Sequence, residues 1–538
     1  MQQPLWIGFL SIALVSSGCS GFDDENGASS DSASQSCPGC SPSGEGGGAS
    51  DPGSNVGFGG AQDAGFFRGQ VEAGAVPLPD DMDAAGFFAE HHGDLPAADC
   101  GQRICLQTML GVMNNLIDGA NCTLLQIGLN SPIAVDPDKR PPLDLAVVID
   151  VSGSMRNEGK LVAVQDGLRL MVNEMRDTDR IAIVTYNADA ATRFDLDTLQ
   201  GNRNDLLDIV DALEAQGATN LHDGMRRGYA ALRERFAPER ESRLLLLSDG
   251  QPTAGITDPE TILEMSAAEN SDGIGLTTIG VGTSFNIALM RDLALQSDGN
   301  FYFVEDAGAV DEVFTQELSY FTVPIARDVE LSVEVGELYD FGAARGSPLW
   351  EETAEGGRLQ LASVFVAHRE SEDDVTADGG RRGGGSRLLI EVMPNTVATG
   401  DETSALVAKV NMLFTDPTTG ESHTQSQQIV FSSSPLNTPP RGMFETPMVE
   451  KSFVVLNIYV GLTEAVRAFH AGAPQEALDI LVGLAAAAAD YEDSANEGQG
   501  DTDIRADIEL IETLIGNIEN LSAEPAPTDV PADPWPAD

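Results

Sequence analysis

Between Leu143 and Phe321, short apolar runs alternate with segments whose apolar residues recur every three or four positions. LAVVI (145–149), IAIVTY (181–186), LLLL (244–247) and LTTIGV (276–281) are short and nearly continuous. Runs of that kind are strands buried on both faces. Between them fall Leu161, Val164, Leu168, Met171 and Met175, then Leu206, Ile209, Val210 and Leu213, then Met225, Tyr229, Leu232 and Phe236. Each set has the spacing of one helical face. Such strand–helix alternation predicts a doubly wound, mostly parallel α/β unit with helices on both sides of its sheet.

Three strings carry candidate ligands: LAVVIDVSGSM, QGATNLHDG and LLLLSDGQP. They hold Asp150, Ser152, Ser154, Thr219 and Asp249. The alternation of Ser152 and Ser154 just past the 145–149 strand aims both hydroxyls at one point above its carboxyl end, where open α/β sheets bind ligands. Mg²⁺ is a hard cation that takes oxygen ligands in near-octahedral array. Hydroxyls and carboxylates from separate loops can fill part of that shell and leave a position for an outside ligand. Alone, DxSGS also suits a solvated strand-to-helix turn with Asp and Ser as caps. In this order and together, the three strings resemble the metal-ion-dependent adhesion site of a von Willebrand factor type A (VWA) domain. The resemblance covers about a third of the chain. It implies a Rossmann-like fold in which Ser152, Ser154 and Thr219 ligate the ion directly, with Asp150 and Asp249 acting mostly through water. It also implies Mg²⁺ as the ion, with Mn²⁺ or Ca²⁺ as substitutes, and a protein partner whose Asp or Glu carboxylate completes the shell.

The formal charge of −55 comes from 85 acidic against 30 basic residues in 538, and lysine occurs only at 139, 160, 409 and 451. A surface of that sign repels nucleic acid and anionic membrane. Two readings fit such a charge, adaptation to high salt or loose binding of cations all over the surface. The acids are spread through every segment rather than gathered in one tail, which favours salt adaptation.

MQQPLWIGFLSIALVSSGC (1–19) is apolar, too short to span a bilayer, and ends in small residues, as a secretory signal does. Its ending resembles a bacterial lipobox in which Cys19 is lipidated. No Lys or Arg precedes the apolar stretch, however, and Ser16 stands where Leu is usual. No later apolar stretch is expected to be long enough to span a bilayer. The other cysteines (37, 40, 100, 105 and 122) are expected as disulfide partners in an exported chain, with one thiol left over and the connectivity open.

The domain reading is a signal or lipobox at 1–19, a Gly/Ser/Asp-rich linker at 20–60 and a VWA-flanking region at 61–140. The VWA domain follows at 141–323, a β-sandwich region at 324–446, a helical region at 447–522 and a Pro-rich disordered tail at 523–538. Within 61–140, DAGFFRG, AGAVPLPDD and DAAGFFAE resemble the region preceding the adhesion domain in bacterial VWA lipoproteins. Leu106, Met109, Leu110, Met113, Leu116 and Ile117 predict a short amphipathic helix, and TLLQIGL (123–129) a strand. After Pro324, alternation at Val329–Val335 and Leu406–Phe414, with RLQLASVFVAH and SRLLIEVMP, predicts an antiparallel sandwich. The strand at 123–129 is its missing member, so the VWA domain is an insertion. DDVTADGGRRGGGS (373–386) is expected as a flexible loop. AFHAGAPQEALDILVGL looks like a tetratricopeptide-style helical hairpin, and one unit makes no array.

Other chemistry fails on spacing. GSMRNEGKL has five residues between its glycines and Leu after Lys160, unlike a phosphate-binding loop. Glu90-His91-His92 lacks zinc-protease spacing and is expected as a surface turn. His222 falls at the start of a helix just after Thr219, where a capping or solvated role is expected. The chain is therefore expected to be a non-enzymatic cell-envelope binding protein. The alternatives are an exported assembly factor working with a separate-chain ATPase, as in chelatase-type systems, and a hydrolase using the flanking modules.

Overall fold

The computed structural model describes residues 54–57, 60–61, 64–133, 140–249, 251–270, 272–282, 286–296, 299–304, 313–314, 324–366, 385–440 and 442–523. Cys19, Cys37, Cys40, the signal segment, most of the 373–386 loop and the 524–538 tail lie outside these residues.

Among the described residues the first elements are strands β1 (Ser54–Gly57) and β2 (Gly60–Ala61), then helices α1 (Gly65–Glu72) and α2 (Ala84–Ala89). A hairpin follows, β3 (Cys105–Asn114) and β4 (Asn121–Ser131). The doubly wound unit then runs β5 (Leu143–Asp150), α3 (Lys160–Glu174), β6 (Arg180–Tyr186), β7 (Ala190–Thr198), α4 (Arg203–Asp211) and α5 (Leu221–Arg233). It continues through β8 (Glu241–Ser248), α6 (Pro259–Asn270), β9 (Ile274–Val281), α7 (Ile287–Leu295) and β10 (Asn300–Val304). The return to antiparallel structure is β11 (Pro324–Val335), β12 (Tyr339–Arg345), β13 (Trp350–Thr353), β14 (Gly356–Val366) and β15 (Arg387–Pro394). It ends with β16 (Ala405–Thr415), β17 (Ser422–Phe431) and the short β18 (Met443–Phe444). Helices α8 (Pro447–His470), α9 (Pro474–Gly498) and α10 (Thr502–Ala523) close the chain.

The doubly wound sheet has the order β2-β10-β9-β8-β5-β6-β7. All its pairings are parallel except that of β6 with β7. Every residue of β5 is buried. Leu145, Val147 and Ile149 face one apolar cluster, and Ala146 and Val148 the other. Each such side chain contributes roughly 1.5–3 kcal/mol by leaving water. Helix α5 lies close on the sheet because Gly224 and Gly228 have no side chain. A Cβ at Gly224 would come within 2.6 Å of the Tyr186 ring, and one at Gly228 within 2.5 Å of Val148.

The remaining strands form an antiparallel assembly ordered β12-β15-β4-β1-β14-β11-β16-β17, with β3 beside β4, β18 beside β3, and β13 beside β14. Strand β1 joins its halves, pairing β4 through Ser54 and Asn55 and β14 through Val56 and Gly57. One apolar core lies between the halves. A second core forms where α1, α2 and helices α8–α10 cover the outer face of β3, β4 and β15. The chain leaves this assembly after β4 and re-enters it at β11, so the doubly wound unit is inserted within it. At the amino-terminal ends of its strands, the buried Arg243 guanidinium sits 5.5 Å from the Phe365 ring centroid, and Arg327 pairs with Glu241 at 3.3 Å.

Four expectations are corrected. The helix expected from Leu106 to Ile117 is strand β3 and its turn, paired with β4 from Cys105↔Asn130 to Asn114↔Asn121. Leu106, Leu110 and Val112 face the sandwich core, whereas Met109 and Met113 face the helical one. A strand apolar on both faces reproduces the three-and-four spacing of a helix. The linker expected to reach residue 60 contains β1, whose Asn55 and Val56 are buried. Glu90, His91 and His92 are buried rather than a surface turn, because α10 covers them. His91 Nδ1 bonds the Phe87 carbonyl at 2.7 Å and its Nε2 the Asp507 carboxylate at 2.6 Å; Arg68 pairs with both Glu90 and Asp507. Finally, α8 is long and apolar enough to cross a membrane, with a mean hydropathy of 1.3, yet 61% of its apolar window is buried against the rest of the protein. Among the other cysteines, Cys100 and Cys105 form a disulfide and Cys122 is a buried free thiol.

Candidate metal centre

Strand β5 has β6 on one side and β8 on the other, so the winding of the sheet reverses between β5 and β8. A cleft opens at that switch point at the carboxyl ends of parallel strands. Asp150 is the last residue of β5, and Asp249 follows the last residue of β8. Both carboxylates are essentially inaccessible, at 0% and 1% exposure.

Each carboxylate oxygen is held. Asp150 Oδ1 accepts from the Ser152 backbone N–H at 2.8 Å and its Oδ2 from the Ser248 hydroxyl at 3.0 Å. Asp249 Oδ1 accepts from the Ser154 hydroxyl at 2.8 Å. Ser152 and Ser154 hydroxyls lie 3.0 Å apart. Asp249 Oδ2 accepts from the Lys160 ammonium at 3.2 Å. Ser154 is exposed while Ser152 is buried, so the cluster opens outward on the Ser154 side.

Thr219 arrives through its backbone. Gln216 N–H donates to Val151 O at 2.7 Å and Gly153 N–H to Gly217 O at 3.0 Å, which staples the Thr219 loop to the Ser152 loop. On the other side, Thr219 N–H donates to the Thr253 hydroxyl at 2.9 Å, and its carbonyl accepts from the Thr253 and Ala254 N–H groups. Helix α5 starts immediately after, capped by Asn220, whose side chain accepts from the Asp223 N–H. Asn220 thus takes the capping role considered for His222. Burial, with help from the Arg226 charge, holds the His222 imidazole below its usual value.

Burial pushes the Asp150 carboxyl up to about 6, reinforced by the Asp249 charge and opposed by the bonds from Ser152 and Ser248. The buried Tyr186 phenol is also raised, by burial and then by Asp150. Two desolvated carboxylates against one ammonium leave the cluster short of positive charge, which is costly in a low-dielectric setting. Among the described residues, no three His, Cys, Asp or Glu side chains gather to hold an ion. An ion here would rely on hydroxyls as well as carboxylates. Such an all-oxygen set suits a hard divalent cation and not a soft one. A cleft of about 360 Å³ adjoins the 153–159 loop, lined by Met155, Arg156, Val162, Gln165, Leu213 and Gln216 among others. Lys160, Ser248 and Thr253 were not singled out from sequence as site residues. Lys160 carried one signal, the scarcity of lysine in this chain.

The von Willebrand factor type A domain family model matches residues 144–316. The doubly wound unit is therefore a VWA domain, and the antiparallel sheets and terminal helices lie outside the match. The uncharacterized protein YfbK of Escherichia coli (strain K12) is 33% identical over 199 residues, which is 37% of this chain and 34% of YfbK. Inter-alpha-trypsin inhibitor heavy chain H3 of Homo sapiens is 26% identical over 209 residues, 37% of this chain and 23% of that protein. The chain thus spans about a third or less of the length of these two relatives. A solved structure, the von Willebrand factor type A from Catenulispora acidiphila, aligns with 77% of this chain and 96% of its own, at a TM-score of 0.47 and 14% identity.

Proposed function

We propose that this is a non-enzymatic binding protein of the cell envelope that grips a protein partner through a divalent cation. VWA domains are associated with protein–protein interaction and commonly hold a divalent metal. Ser152, Ser154 and Thr219 would hold the ion directly, with Asp150 and Asp249 mostly through water. When bound, the ion supplies an electrophilic position for an Asp or Glu carboxylate of the partner. Mg²⁺ is the expected ion, with Mn²⁺ and Ca²⁺ as substitutes.

The observation that carries this reading is the continuous oxygen set Ser152–Ser154–Asp249, open to solvent at Ser154 and built at the carboxyl ends of the paired strands β5 and β8, where the winding of the sheet reverses. The protein's own residues fix the carboxylates, orient the hydroxyls and keep water from the inner side of the cluster. The cleft beside the 153–159 loop offers room for partner side chains flanking that carboxylate. His91 does not favour a hydrolase, because the Phe87 carbonyl and the Asp507 carboxylate occupy both its nitrogens.

The test is Mg²⁺-dependent capture of envelope protein by the full chain and by Asp150→Ala. Chelator-sensitive capture that the substitution abolishes supports the reading. Undiminished capture by folded Asp150→Ala contradicts it. Export with Cys19 as a lipid anchor is a separate proposal, checked by labelled-acyl incorporation that Cys19→Ala removes.

A further inference from the structure

Only four lysines occur in the chain, and the rest of its positive charge is arginine. Lys160 is nevertheless 5% exposed, at the first position of α3, with its ammonium on Asp249 Oδ2 at 3.2 Å. Its stem runs over Gly282, just past β9, where φ is +79° and an added Cβ would collide with Lys160 Cε. Two features of the fold, a helix start and a glycine that leaves room, therefore bring one ammonium to the inner side of the oxygen cluster. A solvated surface lysine needs neither.

Resting on the ion-site reading above, we infer that Lys160 is a positioning residue that keeps the site one negative charge short, so that the ion is held weakly by the chain alone and tightly once an outside carboxylate joins. The charge count is direct. Asp150 and Asp249 bring −2 and Lys160 brings +1, so a divalent ion leaves the filled site at +1. One incoming carboxylate returns it to zero. Without the ammonium, the two aspartates neutralise the ion by themselves, and nothing is left to draw a partner. In a desolvated cluster each unit of charge counts far more than in water. By linkage, the factor by which carboxylate tightens the ion equals the factor by which the ion tightens carboxylate. Lys160 thereby makes ion capture and partner capture one coupled event.

The experiment is calorimetric titration of Mg²⁺ into the full chain, with and without saturating acetate at constant ionic strength. It is run on wild type, Lys160→Met and Lys160→Gln. Met keeps the aliphatic stem over Gly282; Gln keeps a polar tip. Melting curves establish that at least one variant is folded. Expected is a gain of about tenfold or more in the affinity of both variants for Mg²⁺ alone. The acetate enhancement seen in wild type should fall close to unity. In a merely structural role for Lys160, the variants lose stability and gain no affinity, and that result overturns the inference, as does an unchanged acetate enhancement. Wild-type protein that binds Mg²⁺ with no acetate enhancement also overturns it while leaving the ion site standing. Wild-type protein that takes no Mg²⁺ overturns the ion site and this inference together.

Discussion

Ser154 donates its hydroxyl hydrogen to Asp249 Oδ1 at 2.8 Å, joining residues 95 positions apart across the switch point of the sheet. This bond links two of the three loops that build the site. A single residue therefore both bonds a buried carboxylate and stands exposed to solvent.

Removing that hydroxyl should cost affinity more than stability. Ser154→Ala is expected to lose tenfold or more in Mg²⁺ affinity, because one hard ligand is gone. Its unfolding free energy should change by only about 1 kcal/mol, the net worth of one hydrogen bond. Calorimetric titration and denaturant unfolding on the same sample separate the two effects.

Asp150 makes ion binding pH-dependent. Burial raises its carboxyl from the ordinary 3.8 to about 6. A raised folded value means that neutral Asp150 contributes its stability fully below pH 4, and that this contribution is lost as pH climbs through 6. The gap is worth roughly 3 kcal/mol in the ion-free protein. An ion needs the carboxylate form, so below pH 6 binding must release a proton. Mg²⁺ affinity should rise about tenfold per pH unit up to about 6 and then level off. Titrations in buffers of different ionisation enthalpy would count the proton; a flat profile from pH 5 to 7 would remove Asp150 from the site.

The doubly wound domain was legible because strands such as 145–149 are buried on both faces and so read as unbroken apolar runs. The five proposed site residues were picked out by three strings taken together in order; Asp150 and Asp249 stand at the ends of apolar runs, whereas Thr219 lies in the loop before α5. What escaped depended on partners far along the chain. Strand β3 imitated a helix because it serves two cores at once. His91 looked exposed because Asp507, which buries it, lies 416 residues later. Strand β1 was hidden by the Gly/Ser composition around it, since four residues carry no readable period. Lys160 lay in a string set aside for its failure as a phosphate loop, and only the fold brings it to Asp249.

Helix α5 carries the Thr219 loop, so its seat on the sheet should matter to the site. Gly228→Ala places a methyl against Val148 and Leu244, which cannot retreat from a packed core. The expected cost is about 1–3 kcal/mol in stability, with weakened Mg²⁺ binding although no ligand has changed. An unaltered Mg²⁺ affinity at reduced melting temperature would mean that the Thr219 loop is positioned independently of the helix.

The C-terminal helix should be pinned by charge. Asp507 is fully buried and bonds both Arg68 and His91. Asp507→Ala leaves those two groups without their carboxylate and should cost about 3–5 kcal/mol. Denaturant unfolding measures it; a change under 1 kcal/mol would mean that α10 is held by its apolar face alone.

The central claim is that these five residues hold one divalent ion. Mn²⁺ titrated into the metal-free chain and followed by electron paramagnetic resonance counts bound ions directly. The account predicts one chelatable Mn²⁺ per wild-type chain, displaced by Mg²⁺, and none in Asp150→Ala of unchanged secondary structure. Equal Mn²⁺ binding by wild type and Asp150→Ala would contradict it.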